Sequence, residues 1–272
     1  MNMQTSISDT GVYLERMSKP LQEKLRVAHY IPNSAQAVLD VGCADGTVTI
    51  ALAQMFPKIQ FCGIDLEEDF IKKAKQRAKE EGFKNVDFEK VYLRDLLARS
   101  QRFDSVVFIS VLHEFYSYGE GVSSILKALA DAHELLKPEG RIIIRDMILN
   151  EYTKSTKFRV GDVVKKVRDK KDTAGRIGDF EKYHGPLDSI YSLNHFLLKY
   201  FYTENWEREV KEHYVPVTFE QYAQAFDFLG MDLQVQDSYL IPFLKQKWQD
   251  DFALTEEELS SFRSTGFLVA RK

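Results

Sequence analysis

The run Val38–Ile50, "VLDVGCADGTVTI", sets two aspartates and two glycines directly after an apolar stretch. Gly42 and Gly46 let the backbone turn sharply from strand to helix and approach a ligand with no Cβ in the way. A dinucleotide-binding loop needs G-x-G-x-x-G and a P-loop needs Gly-Lys-Ser/Thr, and neither is present. Asp40 and Asp45 repel phosphate and favour a cation, so the loop is suited to a cationic ligand without phosphate. An adenosine cofactor carrying a sulfonium and an ammonium meets that requirement. Asp65 ends a second apolar run about 20 residues later, where a carboxylate can accept both hydroxyls of a ribose.

A second group could move protons. His113, in "VLHEFY", follows a fourth apolar run, at the edge where ligands sit in open α/β sheets. It is a candidate general base, with packing or helix capping as the alternative use. Glu114 either orients its imidazole or faces solvent. Asp146, closing a fifth apolar run, suits substrate or base work; its alternative is a helix cap or a salt bridge with Arg145. Farther on, "YHGPLDSIYSLNHFLLKYFYTENW" offers Tyr183, His184, Tyr191, His195, Tyr202 and Trp206. These either wall a substrate pocket and exclude water or form the core of their own segment.

The elements that must position these residues alternate along the chain. "AVLDVG", "IQFCGID", "NVDFEKVY", "FDSVVFISV" and "RIIIRDMI" read as strands. Between them come a helix from Thr47 to Phe56 and a helix "EEDFIKKAKQRAKEEG" stopped by Gly82. A third helix over 121–136 is expected to bury Val122, Ile125, Leu126, Leu129 and Leu136. Strands apolar on both faces that alternate with helices imply a parallel sheet covered on both sides. The rhythm is lost over 150–216, read as a mostly helical insert. It resumes with helix "TFEQYAQAFDFLG" and strands "MDLQVQDSY" and "TGFLVAR", seven strands in all. Residues 12–30 read as a leading helix interrupted near Pro20.

The chain has 272 residues, 44% of them hydrophobic, with a formal net charge of -4. That size allows one elaborated domain, and the charge gives no global field toward nucleic acid or anionic membrane. Two cysteines, Cys43 and Cys62, lack any metal-ligand spacing and read as reduced thiols, so no metal is expected. The N-terminus lacks a signal-peptide pattern and no apolar run reaches a membrane span, which points to a cytoplasmic protein. Lys72, Lys73, Lys75, Arg77 and Lys79 lie opposite Ile71, Ala74 and Ala78 and form a solvated helix face. Lys165, Lys166, Arg168, Lys170 and Lys171 lie in the insert and could grip a phosphate or an RNA end, diluted by Asp162, Asp169 and Asp172. No feature sets an oligomeric state.

Taken in order, these segments resemble class I S-adenosylmethionine-dependent methyltransferases of the small-molecule type. "LDVGCADG" resembles motif I, "CGIDLEEDFIKKA" motif II, "FDSVVFISVLHEF" the fourth-strand motif, "ELLKPEGRIIIRD" the fifth and "GFLVARK" the closing strand. The likeness covers 35–149 and 217–272. It implies a Rossmann-like doubly wound sheet, mainly parallel and seven-stranded, that binds S-adenosylmethionine, with 1–34 as a helical lid and 150–216 as a substrate cap. By the same resemblance Gly42, Ala44 and Gly46 face the methionine part, and Asp40 positions the loop near its amino group. Asp65 holds the ribose, Leu66 packs on adenine, and Ser110 offers backbone to the ammonium. Tyr13 either closes over the cofactor or simply packs.

Two positions depart from the pattern. Ala44 replaces the middle glycine, and Tyr92 stands where an acidic residue often meets the adenine amino group. Either Asp95 takes that contact, or backbone and Leu93 hold the base. His113-Glu114-Phe115 is similar to the His-Asp-Trp triplet whose histidine is the base in small-molecule O-methyltransferases. The expected activity is methyl transfer to oxygen or nitrogen of a small molecule. The alternatives are an RNA or phosphate-bearing substrate gripped by the basic insert, and a non-catalytic cofactor-binding regulatory or partner subunit.

Overall fold

The computed structural model describes residues 21–148 and 158–272. Tyr13 and most of 1–34, the segment expected to be a lid, lie outside the described residues. Seven strands form one sheet in the order β3-β2-β1-β4-β5-β7-β6. They are β1 (Ala37–Val41), β2 (Gln60–Asp65), β3 (Val86–Lys90), β4 (Phe103–Ile109), β5 (Leu136–Asp146), β6 (Asp232–Tyr239) and β7 (Thr265–Arg271). The first five pair in parallel, and β7 runs antiparallel to both β5 and β6. The mainly parallel, seven-stranded, Rossmann-like sheet expected from the sequence is present.

Helices cover both faces because the strands are buried on both. One apolar layer joins Leu39, Val106 and Ile144 to Ile125, Leu129 and Phe226, and the other joins Val38, Val107 and Ile143 to Ile50, Ile71 and Ala74. The leading segment starts with helix α1 (Leu21–Lys24) and a 3-10 turn over Leu25–Tyr30. Its Val27 and Ala28 pack into the second layer. Helix α2 (Thr47–Met55) follows the glycine loop, and α3 (Glu68–Glu80) buries Phe70, Ile71, Ala74 and Ala78 with its lysines outward. Helix α4 (Leu112–Tyr118) carries His113, and α5 (Val122–Leu135) follows.

Leu126 departs from the sequence expectation: it is 46% exposed. The buried stripe of α5 is centred on Ile125, Ala128, Leu129 and Ala132, and Leu126 stands on its flank. The described part of the segment read as an insert holds α6 (Val160–Asp169), α7 (Ala174–His184), α8 (Ile190–Leu197) and the short α9 (Trp206–Glu209). Helix α10 (Phe219–Phe228) returns to the sheet, and α11 (Pro242–Phe252) and α12 (Glu256–Leu259) lie between β6 and β7. The insert has its own apolar core, with Val163, Val167, Phe180, Phe196 and Leu197. Trp248, Phe252 and Leu259 from α11 and α12 share that core, so a segment read as part of the sheet domain packs against the insert.

Leu129 and Leu126 of α5 give a direct check on this burial. Leu129→Ala should cost about 2–5 kcal/mol in denaturant unfolding, and Leu126→Ala less than about 1 kcal/mol. Equal losses would contradict the orientation of α5.

Candidate functional site

The strand order reverses between β1 and β4, and the loops leaving their C-terminal ends define a crevice there. Gly42 and Gly46 both adopt φ of 74°. A Cβ on Gly42 would lie 2.4 Å from Val111, and one on Gly46 would lie 2.6 Å from Phe88. Gly42 is therefore closed against the chain after β4 and Gly46 against β3, and neither position tolerates a larger residue. Ala44 also takes a left-handed conformation, φ 47°, a strain of about 1–3 kcal/mol in a residue with a Cβ. Its N–H donates to Asp65 at 2.9 Å, which fixes the loop to the end of β2.

The loop's aspartates differ in surroundings. Asp40 is buried and accepts from the Thr49 hydroxyl of α2 at 2.6 Å; burial pushes its carboxyl up to about 6. Asp45 accepts from the N–H and the hydroxyl of Thr47 at the start of α2. The pocket beside them is lined by Asp40, Gly42, Ala44, Asp45, Thr47 and the side chain of Lys24. Lys24 is 5% exposed; burial, then Arg145, lowers its ammonium to about 8 while Asp40 and Asp45 favour its charge. A cation thus already faces the two aspartates, and it comes from the leading helix. The spacing of Lys24 gave no sign of this, because the contact is between segments distant in sequence.

At the end of β2 both carboxylate oxygens of Asp65 are oriented by backbone, Oδ2 by Ala44 and Oδ1 by the N–H of Glu67 at 2.9 Å. Leu66 follows, half-buried, and Leu93 is buried at the start of a 3-10 turn over Leu93–Ala98. Tyr92 and Asp95 both lie at the surface. Ser110, at the end of β4, has φ 55°; its N–H donates to the Arg145 carbonyl at 2.7 Å and its Oγ accepts from the Arg145 guanidinium at 2.8 Å. Arg145 therefore serves Ser110, and no salt bridge joins it to Asp146 among those of the described residues.

Asp146 instead meets His113. Its Oδ1 lies 2.8 Å from His113 Nδ1, Oδ2 accepts from the His113 N–H at 3.3 Å, and the Met147 N–H donates at 2.8 Å. Both side chains are buried. The other ring nitrogen, Nε2, faces Glu212 of the insert at 3.8 Å. Burial alone would lower the imidazole, but Asp146 and then Glu212 raise it to about 9. Burial alone would raise Asp146, but His113 holds it below the usual carboxylate range. Glu212 is pushed up to about 7 by burial and by Glu209 and Glu114, against Arg208 and His113. Sequence reasoning missed Glu212, whose neighbours Tyr118 and Arg208 also fix it by hydrogen bonds. Glu114 pairs with Arg208 at 3.4 Å and does not face open solvent.

Among the residues expected to wall a substrate pocket, His184 and His195 come together with His213, while Tyr183 is 47% exposed. Tyr202 packs on Phe201 and Tyr214. Three of the insert's basic residues are in ion pairs: Lys166 with Glu258, Arg168 with Glu181 and Lys170 with Asp251.

A family model described as Methyltransferase domain matches residues 32–209. Release factor glutamine methyltransferase of Aliivibrio fischeri is 33% identical over 79 residues, 29% of this chain and 28% of that protein. The chain spans less than half the length of the curated relatives it matches. An O-methyltransferase family protein from Burkholderia thailandensis shares the fold with a TM-score of 0.56 and 15% identity, over 97% of this chain and 59% of that one. Magnesium protoporphyrin IX methyltransferase of Synechocystis PCC 6803, determined with SAH bound, superposes with a TM-score of 0.53 and 13% identity, over 99% of this chain and 90% of that one.

The His113–Asp146 pair has a pH signature. A folded-state value raised from 6.5 to about 9 means that its stabilisation is complete below about pH 6.5 and is lost as pH rises through 9. NMR titration should show His113 still protonated at pH 8 in the wild type and deprotonated there in Asp146→Asn. A wild-type imidazole titrating at or below 6.5 would contradict the pairing.

Proposed function

The chain belongs to the methyltransferase-domain family, and from that premise we propose that it transfers a methyl group from S-adenosylmethionine to an oxygen of a small-molecule acceptor. The observation that carries the choice of oxygen is the buried His113–Asp146 pair at the C-terminal edge of the sheet, next to the glycine loop. Hydroxyl acceptors need a proton removed as the bond to the methyl group forms, and a carboxylate-held imidazole is suited to receive it.

The residues present fit the cofactor. Asp40 and Asp45 line the pocket with carboxylates, matched to a sulfonium and an ammonium. Asp65, steadied by two backbone amides, keeps lone pairs for ribose hydroxyls. In this reading Leu66 and Leu93 would meet adenine and Ser110 the methionine end; Asp40 and Lys24 line the pocket, so Lys24 must share it or move aside. S-Adenosylmethionine, when bound, supplies an electrophilic methyl group on a cationic sulfur. Everything else is the work of this chain: holding the acceptor, excluding water and taking its proton.

His113 as observed is flanked by two carboxylates and therefore favours the protonated form. An acceptor hydroxyl seated at Nε2 in place of Glu212 removes one of those anions, which shifts the ring toward the neutral form that can act as base. Asp146 then holds the tautomer that leaves Nε2 open and stabilises the imidazolium formed. Residues 150–216 act as the substrate cap, bringing Glu212, Tyr214 and Arg208 over the pair. The internal ion pairs of Lys166, Arg168 and Lys170 count against a nucleic-acid grip by the insert.

Calorimetry with S-adenosylhomocysteine is expected to show binding to the wild type that Asp65→Ala weakens by more than about tenfold. Turnover assayed on a panel of small hydroxyl-bearing acceptors should fall about 10²–10⁴-fold in His113→Ala, with cofactor affinity nearly unchanged. Absence of binding to the wild type overturns the cofactor assignment. Unchanged turnover in His113→Ala removes the base from the mechanism.

A further inference from the structure

Three of the chain's six histidines converge inside the insert, behind the site already described. His184 ends α7, His195 lies in α8 and His213 sits in the strap after α9. One ligand-capable nitrogen from each lies within 4.8 Å of the others. Their ring centroids are 4.4 Å apart for His184 and His195, 4.8 Å for His195 and His213, and 5.5 Å for His184 and His213.

The surroundings hold each ring by one nitrogen. His184 Nε2 donates to the Val210 carbonyl at 2.6 Å, His213 Nε2 lies 3.0 Å from the Tyr191 hydroxyl, and His195 Nε2 lies 3.1 Å from the Tyr214 backbone nitrogen and 3.4 Å from the Glu212 carbonyl. Metal-binding histidines are oriented by donating the N–H of one ring nitrogen, which leaves the other for the ion; the Val210 and Glu212 carbonyls are the acceptors that put His184 and His195 in that tautomer. His213 Nδ1 fits that picture most clearly, since it is buried and has no hydrogen-bond partner. A buried nitrogen without a partner costs free energy that a ligand would recover. His195 is buried while His184 and His213 are only partly so, which leaves an approach from solvent.

We propose that His184, His195 and His213 bind a single divalent transition-metal ion of the zinc class, with water completing a tetrahedral shell. Three imidazoles without thiolates match zinc and its borderline neighbours and not calcium or magnesium, which take oxygen ligands. Burial also keeps all three rings below their ordinary value, in the neutral form that coordinates metal. Lys199 is the group that opposes a cation here, acting on all three rings. Its charge is countered by the nearby Glu209 and Glu212, and it is anchored on their backbone carbonyls. The ion would staple α7, α8 and the strap together. That strap carries Glu212 toward His113 and seats the Tyr214 ring 5.3 Å from it, so the metal would set the cap over the methyl-transfer edge.

The test uses the full-length, untagged protein, stripped with chelator and titrated with Zn²⁺. Elemental analysis after gel filtration should give one zinc per chain. Co²⁺ in its place should give the visible absorption of a tetrahedral site, and zinc should raise the melting temperature by several degrees. His184→Gln and His213→Gln should each weaken zinc binding by about tenfold or more. His29→Gln, an exposed histidine bonded to its own turn, should bind as the wild type does. No retained zinc and no thermal shift in the wild type overturns the proposal without needing any variant. Zinc retained equally by both His184→Gln and His213→Gln also overturns it, placing the ion elsewhere. Neither result bears on methyl transfer, which is read separately.

Discussion

A carboxylate placed wholly inside a protein must be paired or give up its charge, and Asp146 at the end of β5 meets that constraint through His113. The side-chain contact and the backbone bond from His113 together tie the start of α4 to the end of β5. The rest of the site hangs from that tie. Ser117, one turn along α4, donates to the His113 carbonyl and accepts from the N–H of His213 in the insert. Tyr118 of the same helix bonds Glu212, and Glu114 pairs with Arg208. The insert is therefore seated on the helix that carries His113.

The glycine loop obeys a second electrostatic rule. Asp40 and Asp45 make a pocket that selects for positive charge, and the chain answers it with Lys24 from its own leading helix. Burial weakens the hold of Lys24 on its proton, so this ammonium is less firmly charged than a solvated one. The loop is poised between an internal cation and an external one.

Much of the fold was legible in the sequence because its signals are local. Apolar runs, Gly82 and the glycines at 42 and 46 act through neighbouring backbone, and the structure has the seven strands they imply. Asp65 was legible as the last residue of a strand. The missed features are contacts between distant segments: Lys24 against the β1 loop, Glu212 against His113, and His213 with His184 and His195. Neither spacing nor periodicity carries such pairings. Leu126 was misplaced for a subtler reason, since a helical stripe can be drawn through it from Val122, and only packing of α5 shows where the stripe is centred. Helices α11 and α12 join the insert's core although they follow β6 in sequence, again a matter of packing.

The central claim is that the β1 loop and the His113–Asp146 pair belong to one methyl-transfer site. A crystal structure with S-adenosylhomocysteine tests it most directly. The account predicts the ribose on Asp65, the homocysteine amine in the pocket of Asp40 and Lys24, and the sulfur turned toward His113. A ligand bound elsewhere, or one whose sulfur points away from His113 with the insert closed between them, would contradict it.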